Sequence, residues 1–208
     1  MRDGQIGSHQ EAEEFLRDFR GILSGAIVGA LSDWDTVLRA NPNETGGLST
    51  SARARVIHDR TVHRLGVEEA SGSYPGLRLA KIRGLYVVIL NDTLMLKLKK
   101  LDLNLRSRNI RTGQTAAFDQ QSALFPREVG VLTNATSGYV LDALGSELAR
   151  VVVVCWDGRE RRWEVDLLES AGEGGVVVTI PASPAPVRPI RTRIVPERPA
   201  ASEQSDAE

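Results

Sequence analysis

The chain has 208 residues, 26 basic against 27 acidic side chains, a net charge of -1 and a single cysteine. That length suits one substantial core with appendages. The balanced charge argues against a protein devoted to coating nucleic acid, and a lone cysteine excludes an intramolecular disulfide.

The first eight residues are polar and read as disordered. No basic region followed by an apolar core marks a secretory leader, so a cytoplasmic protein is expected. From Ser8 or His9 a helical stripe begins. Phe15, Phe19, Ile22, Leu23, Ile27 and Leu31 recur at spacings of three and four, and Trp34, Val37 and Leu38 extend it through Arg39. Its most apolar part, Gly21 to Leu31, is about half the ~20 residues a membrane-spanning helix needs, so no span is expected. Gly21, Gly25 and Gly29 stand four apart, as on a face where another element approaches. Asn41 to Gly47 breaks the pattern.

A second helix is predicted from Ser49 or Ser51 to Leu65, with Val56, Val62 and Leu65 buried and Gly66 as its stop. His58 and His63 are five apart, whereas a helical zinc pair needs four, and no carboxylate completes an HExxH motif. No metal site and no cofactor is expected. Arg53 and His58 have the R-x4-H spacing of HEPN ribonucleases, but that fold is all-helical and most of this chain reads as β. A polar helix face with local ion pairs is the better account.

Leu77 to Ile82 and Leu85 to Leu90 are strand candidates, and Asn91-Asp92-Thr93 offers hairpin turn chemistry. Leu94, Leu96 and Leu98 then alternate with Met95, Lys97 and Lys99. Leu101, Leu103 and Leu105 follow one residue out of phase, which predicts a bulge or kink at Lys99-Lys100. The chain has four lysines, Lys81, Lys97, Lys99 and Lys100, and Arg106, Arg108 and Arg111 follow the last three. Thr112 reads as the N-cap of a short helix to about Leu124, anchored by Phe118 and Phe125. A helix start preceded by arginines suits an anion. The candidate binding surface is therefore Lys97, Lys99, Lys100, Arg106, Arg108, Asn109, Thr112 and Gln114. The same charges would equally serve as the solvated face of a twisted hairpin.

Gly138 to Ala143 and Leu148 to Cys155 read as strands. Asp157-Gly158 is a hairpin signal that pairs Val152 with Trp163 and Arg150 with Val165. The run Val151 to Val154 predicts a strand covered on both faces, with Cys155 a buried structural thiol. Glu169 to Gly175 reads as a loop and Val176 to Ile180 as a last strand. Residues 181–208 are a Pro-, Arg- and Ser-rich tail whose composition predicts disorder. The expectation is one α+β domain over residues 9–180, helical over 9–66 and sheet-rich over 77–180. In it, N-terminal helices precede a mainly antiparallel sheet with one inserted helix.

No GxSxG, Walker A, GxGxxG or CxxC pattern is present. No lysine has an acid two residues before it, so a PD-(D/E)XK-like nuclease requires an altered motif with Glu164 and Asp166 as metal carboxylates.

Four runs carry a resemblance: K-x-K-K-L-D from Lys97, R-x-R-N-x-x-T-x-Q from Arg106, G-Y-V-L-D from Gly138, and Trp156-Asp157-Gly158 ahead of Trp163. Over roughly residues 85–168, and weakly around Arg55, His58 and Asp59, the chain resembles a family of small bacterial proteins. These are encoded beside a helix-turn-helix protein with an ImmA/IrrE-type zinc metallopeptidase domain. The resemblance implies a setting, a toxin–antitoxin-like or phage-defence module with this chain as effector or as target of its neighbour. It carries no activity and no catalytic residue. Two readings stand: a non-enzymatic effector or partner-binding component acting through the basic surface, and a metal-dependent nuclease that binds nucleic acid.

Overall fold

A computed structural model of the chain describes residues 5–82, 84–107, 112–121 and 132–168. Helix α1 spans His9–Leu16 and passes through a 3-10 turn into α2, Arg20–Ala40; after the short α3, Pro42–Thr45, comes α4, Thr50–Ser71. Six strands follow: β1 Leu77–Ile82, β2 Leu85–Leu90, β3 Leu94–Leu101, β4 Thr133–Leu141, β5 Leu148–Asp157 and β6 Glu160–Asp166. They form one sheet in chain order, and α5, Gly113–Asp119, lies between β3 and β4. The fold is α+β with N-terminal helices and a mostly antiparallel sheet. Only the β3–β4 pair is parallel, because the connection through α5 crosses over instead of turning back.

α1 starts where a capping box closes it: Ser8 accepts from the backbone of Glu11, and the Glu11 side chain reaches back to the cap. Of the eight residues expected to be disordered, residues 5–8 are described, and Ile6 among them is anchored. Ile6 is buried, its N–H donates to Thr133 Oγ1 (2.9 Å) and its carbonyl accepts from Trp163 Nε1 (3.2 Å). That clip ties the N-terminus to both β4 and β6.

α2 and α4 pack as an antiparallel pair. Asp33 of α2 receives Arg60 Nε (2.9 Å) and Arg64 Nη2 (2.8 Å) from α4. Of the three spaced glycines, only Gly29 meets anything: a Cβ there would run into the Arg64 guanidinium, while Gly21 and Gly25 face open space. α4 runs through Gly66 to Ser71 and ends at Gly72, whose φ of 70° closes it in the left-handed conformation. Gly66 is no stop because Val67 to Ala70 continue as helix and Glu69 Oε1 accepts from Leu79 N (3.1 Å) at the start of the sheet. The fully buried residues of α4 are Ile57 and Leu65, with Thr61 almost so; Val56 and Val62 are only partly buried.

The sheet is covered on both faces. Leu94, Leu96, Leu98, Tyr139, Val151, Val153, Cys155 and Trp163 pack against the N-terminal helices. Val87, Ile89, Met95 and Phe118 form a second cluster under α5. Leu101, Leu105, Val140, Val152 and Val154 form a third on that same side. The predicted bulge at Lys99-Lys100 is absent: β3 pairs with β4 without a shift from Leu94↔Thr133 to Leu101↔Val140. The leucine phase changes because a strand buried on both faces lets Leu101 serve the opposite core.

The β5–β6 hairpin also departs from the sequence expectation. Val152 pairs with Asp166, and Cys155 with Trp163. Gly158, at φ 62°, sits in the turn, and Arg162 is an extra residue opposite the Cys155/Trp156 step. Such a bulge restores Trp163 and Val165 to the helical face. Asn91 and Asp92 make their turn with φ of 46° and 45°, as their residue types allow. The predicted helix end at Leu124, the Phe125 anchor, the strand at 176–180 and the tail lie outside the described residues. Among the described residues no helix is long and apolar enough to cross a membrane.

A candidate anion-receiving cleft

The sheet forks. β1 and β2 stay paired as far as Ile82↔Leu85 and β3 stays with β4 to Leu101, but β2 and β3 pair only up to Val87↔Lys97. Between the two branches opens a cleft of about 770 Å³, closed on a third side by Thr50 to His58 of α4 and at its end by Leu141 to Gly145. That volume falls within the usual range of ligand sites. The cleft lies at the carboxyl ends of the parallel pair β3 and β4, where open sheets place their ligands. A void of about 20 Å³ beneath it, lined by Ser137 and Tyr139, has room for a water and no more.

The lining is basic. Three of the chain's four lysines, Lys81, Lys99 and Lys100, are there with Arg55 and His58. Each of its two acids accepts backbone hydrogen bonds within its own turn. Asp102 Oδ1 accepts from the N–H groups of Asn104 (2.9 Å) and Arg106 (3.0 Å). Asp142 Oδ1 accepts from Ser146 (2.7 Å) and Glu147 (3.0 Å). The backbone N–H of Glu147, before that of Ser146, holds the Asp142 carboxyl below the usual range. Arg55 Nε and His58 Nδ1 each lie 3.0 Å from a different oxygen of Asp59, and Lys81 Nζ lies over the Tyr86 ring at 5.0 Å.

Lys99 differs from these. It is half-buried, it has no ion-pair partner among the described residues, and the charges of Lys97 and Arg55 act on it. Burial first, then those two cations, lowers its ammonium from the ordinary lysine value. A half-buried ammonium with no carboxylate against it among the described residues gains from an incoming anion.

The remaining residues of the predicted surface are dispersed. Lys97 is buried under α5, with Nζ 2.7 Å from Asp119 Oδ1 and 4.4 Å from the centre of the Phe118 ring; it fastens the helix and faces no solvent. Arg106 stacks on Trp156 at 3.6 Å and donates to the Arg159 carbonyl (2.8 Å). Thr112 caps α5, accepting from Thr115 N (3.2 Å), and Gln114 is exposed on that seven-residue helix. Arg108 and Asn109 lie outside the described residues. The structure thus brings Lys99 and Lys100 together with Lys81, Arg55 and His58. The first of these three carried a signal in the sequence, the scarcity of lysine; the other two were visible only as a polar helix face.

The carboxylates of the nuclease reading are committed elsewhere. Arg150 Nε lies 2.7 Å from Asp166 Oδ2, and its Nη2 lies 3.0 Å from Glu164 Oε1, while Arg161 also pairs with Glu164. A metal at these two acids would have to displace Arg150. Among the described residues no group of three or more His, Cys, Asp or Glu converges as a metal site. Arg53, the other half of the R-x4-H spacing, donates to the Gly145 carbonyl (3.0 Å), while His58 lies against Asp59. Burial lowers its guanidinium from the ordinary value, and burial likewise pushes the nearby Tyr139 hydroxyl up to about 12. The six-stranded sheet is itself incompatible with the HEPN architecture.

Compared with known protein families, curated proteins and solved structures, the chain matches none of them.

Proposed function

We propose that this protein is a non-enzymatic, partner-binding effector component of a bacterial toxin–antitoxin-like or defence module, and that it receives an anionic group of its partner in the forked-sheet cleft. The observation that carries the reading is Lys99, half-buried in the cleft beside Arg55 and Lys97 with no carboxylate against it among the described residues. Two runs behind the family resemblance support it. Lys97 to Asp102 and Gly138 to Asp142 lie side by side on β3 and β4, and both reach the cleft. The setting implies an ImmA/IrrE-type metallopeptidase regulator as the candidate partner, with nucleic acid as the other anion of that setting.

The test is growth of a bacterial host on induction of the protein, alone and with a metallopeptidase regulator of that type. Growth arrest that the regulator relieves, and that Lys99→Glu abolishes without loss of folded protein, is the expected result. Full arrest by the Lys99→Glu protein removes the cleft from the function. Absence of any growth effect removes the effector reading.

A further inference from the structure

The fork leaves more than charge in the cleft. Beyond Lys97, β3 continues along β4 to Leu101 while β2 has parted from it, so the β2-side edge of β3 borders the cleft. That edge is about 13 Å long at ~3.3 Å per residue, enough for a short extended segment to pair along it. On the neighbouring exits of β3 and β4, Leu103 and Leu144 are 69% and 89% exposed, the largest exposures among the described large apolar residues. Both line the cleft.

Main-chain edge, cations and exposed leucines together select a class of partner. A phosphodiester backbone has no N–H groups to answer a strand's carbonyls, and it gains nothing from exposed leucines. The aromatic rings in the lining are Tyr86 and His58, tilted against each other with centroids 6.4 Å apart, and Lys81 lies over the Tyr86 ring, a poor platform for stacking successive bases. An extended peptide meets all three demands: its backbone pairs with the edge, its acids meet Lys99 and Lys81, and its apolar side chains cover the leucines. We infer that the cleft binds an acidic, extended segment of a partner protein by adding it as a strand to β3. This rests on the proposed partner-binding reading and names the chemistry of the partner.

The experiment uses the full chain and three labelled probes followed by fluorescence anisotropy. They are a peptide of about ten residues alternating glutamate and valine, the same peptide N-methylated at alternate residues, and an oligothymidylate of similar length. Hydrogen exchange is followed at Leu98 to Leu101. The expected result is that the unmodified peptide binds at least about tenfold tighter than the methylated one, since methylation removes N–H donors that pair with the edge and leaves the side-chain charges unchanged. Leu98 to Leu101 then gain exchange protection, and both Lys99→Glu and the more exposed Lys81→Glu weaken binding. Equal binding of the two peptides, with the same charge dependence, overturns strand addition and leaves an anion-receiving cleft standing. Tighter binding of the oligothymidylate assigns the cleft to nucleic acid and overturns the peptide. No binding by any probe takes down both the inference and the reading beneath it.

Discussion

Lys97 and Lys99 stand two residues apart on one strand, and their fates are opposite. Lys97 lies where β3 is paired on both sides and roofed by α5, and its charge is matched by Asp119 at 2.7 Å. Lys99 lies past the point where β2 leaves, beside two cations. The same contrast runs through the whole sheet. At the β4–β5 side, where strand pairing also stops short, Gln121 fills the gap. Its Nε2 donates to the carbonyls of Asn134 (2.7 Å) and Trp156 (2.8 Å), and its Oε1 accepts from Asn134 N (2.8 Å). One opening in the sheet is closed from within by a side-chain amide; the other borders a cationic cleft. Charge in a strand therefore marks a site only where the surroundings leave it uncompensated.

Breaking the closed side should cost most. Asp119→Ala leaves the Lys97 ammonium buried without its partner, so a loss of about 3–5 kcal/mol is expected in denaturant unfolding. A loss below about 1 kcal/mol, the range of an exposed pair, would show that α5 is not fastened as described. Gln121→Ala strands buried backbone groups of β4 and β5, and about 1–3 kcal/mol should be lost. Hydrogen exchange should localise that loss to the Asn134 N–H, which Gln121 Oε1 accepts; a spread over β1 and β2 would contradict the bridging role.

The open side should respond in the other direction. Because the Lys99 ammonium is held below its ordinary value, the unfolded chain binds that proton more tightly than the native one. The resulting cost is full at neutral pH and fades as pH rises through the folded and then the ordinary lysine range. Lys99→Met should therefore be slightly more stable than the parent at pH 7, with the advantage shrinking toward pH 10.5, the ordinary lysine value. A destabilised Lys99→Met protein at neutral pH would mean that Lys99 has a partner.

The smallest effect expected is none at all. Cys155 is fully buried, and burial pushes its thiol up to about 12. A thiol reagent at pH 8 should modify it only as fast as the protein unfolds. Rapid reaction of native protein would place an opening on the side described as closed.

Much of the fold is legible in the sequence because it depends on local periodicity and turn chemistry. The start of α1 near Ser8, the turn at Asn91-Asp92, strands β1, β2, β3, β5 and β6 and the doubly covered valine run of β5 are of that kind, whereas β4 starts at Thr133, five residues before the strand expected from Gly138. The errors arise where a local rule met a non-local partner. Gly66 read as a stop, yet the helix continues to a better cap at Gly72. The leucine phase slip read as a bulge because one dry face was assumed, whereas α5 supplies a second. Of the predicted surface, Lys99 and Lys100 line the cleft, while Lys97, Arg106, Thr112 and Gln114 were grouped with them by proximity in the chain alone.

By itself, then, the sequence determined the main helices and most of the strands, which of their residues are apolar, and that lysine is scarce and clustered. Only the tertiary structure decided that β3 runs parallel to β4, that β2 parts from β3 after Lys97, and that α4 carries Arg55 and His58 to the opening. Periodicity and turn propensity act over a few residues and are written in the chain. Whether a charge is compensated depends on groups tens of residues away, and that is settled only when the sheet has formed.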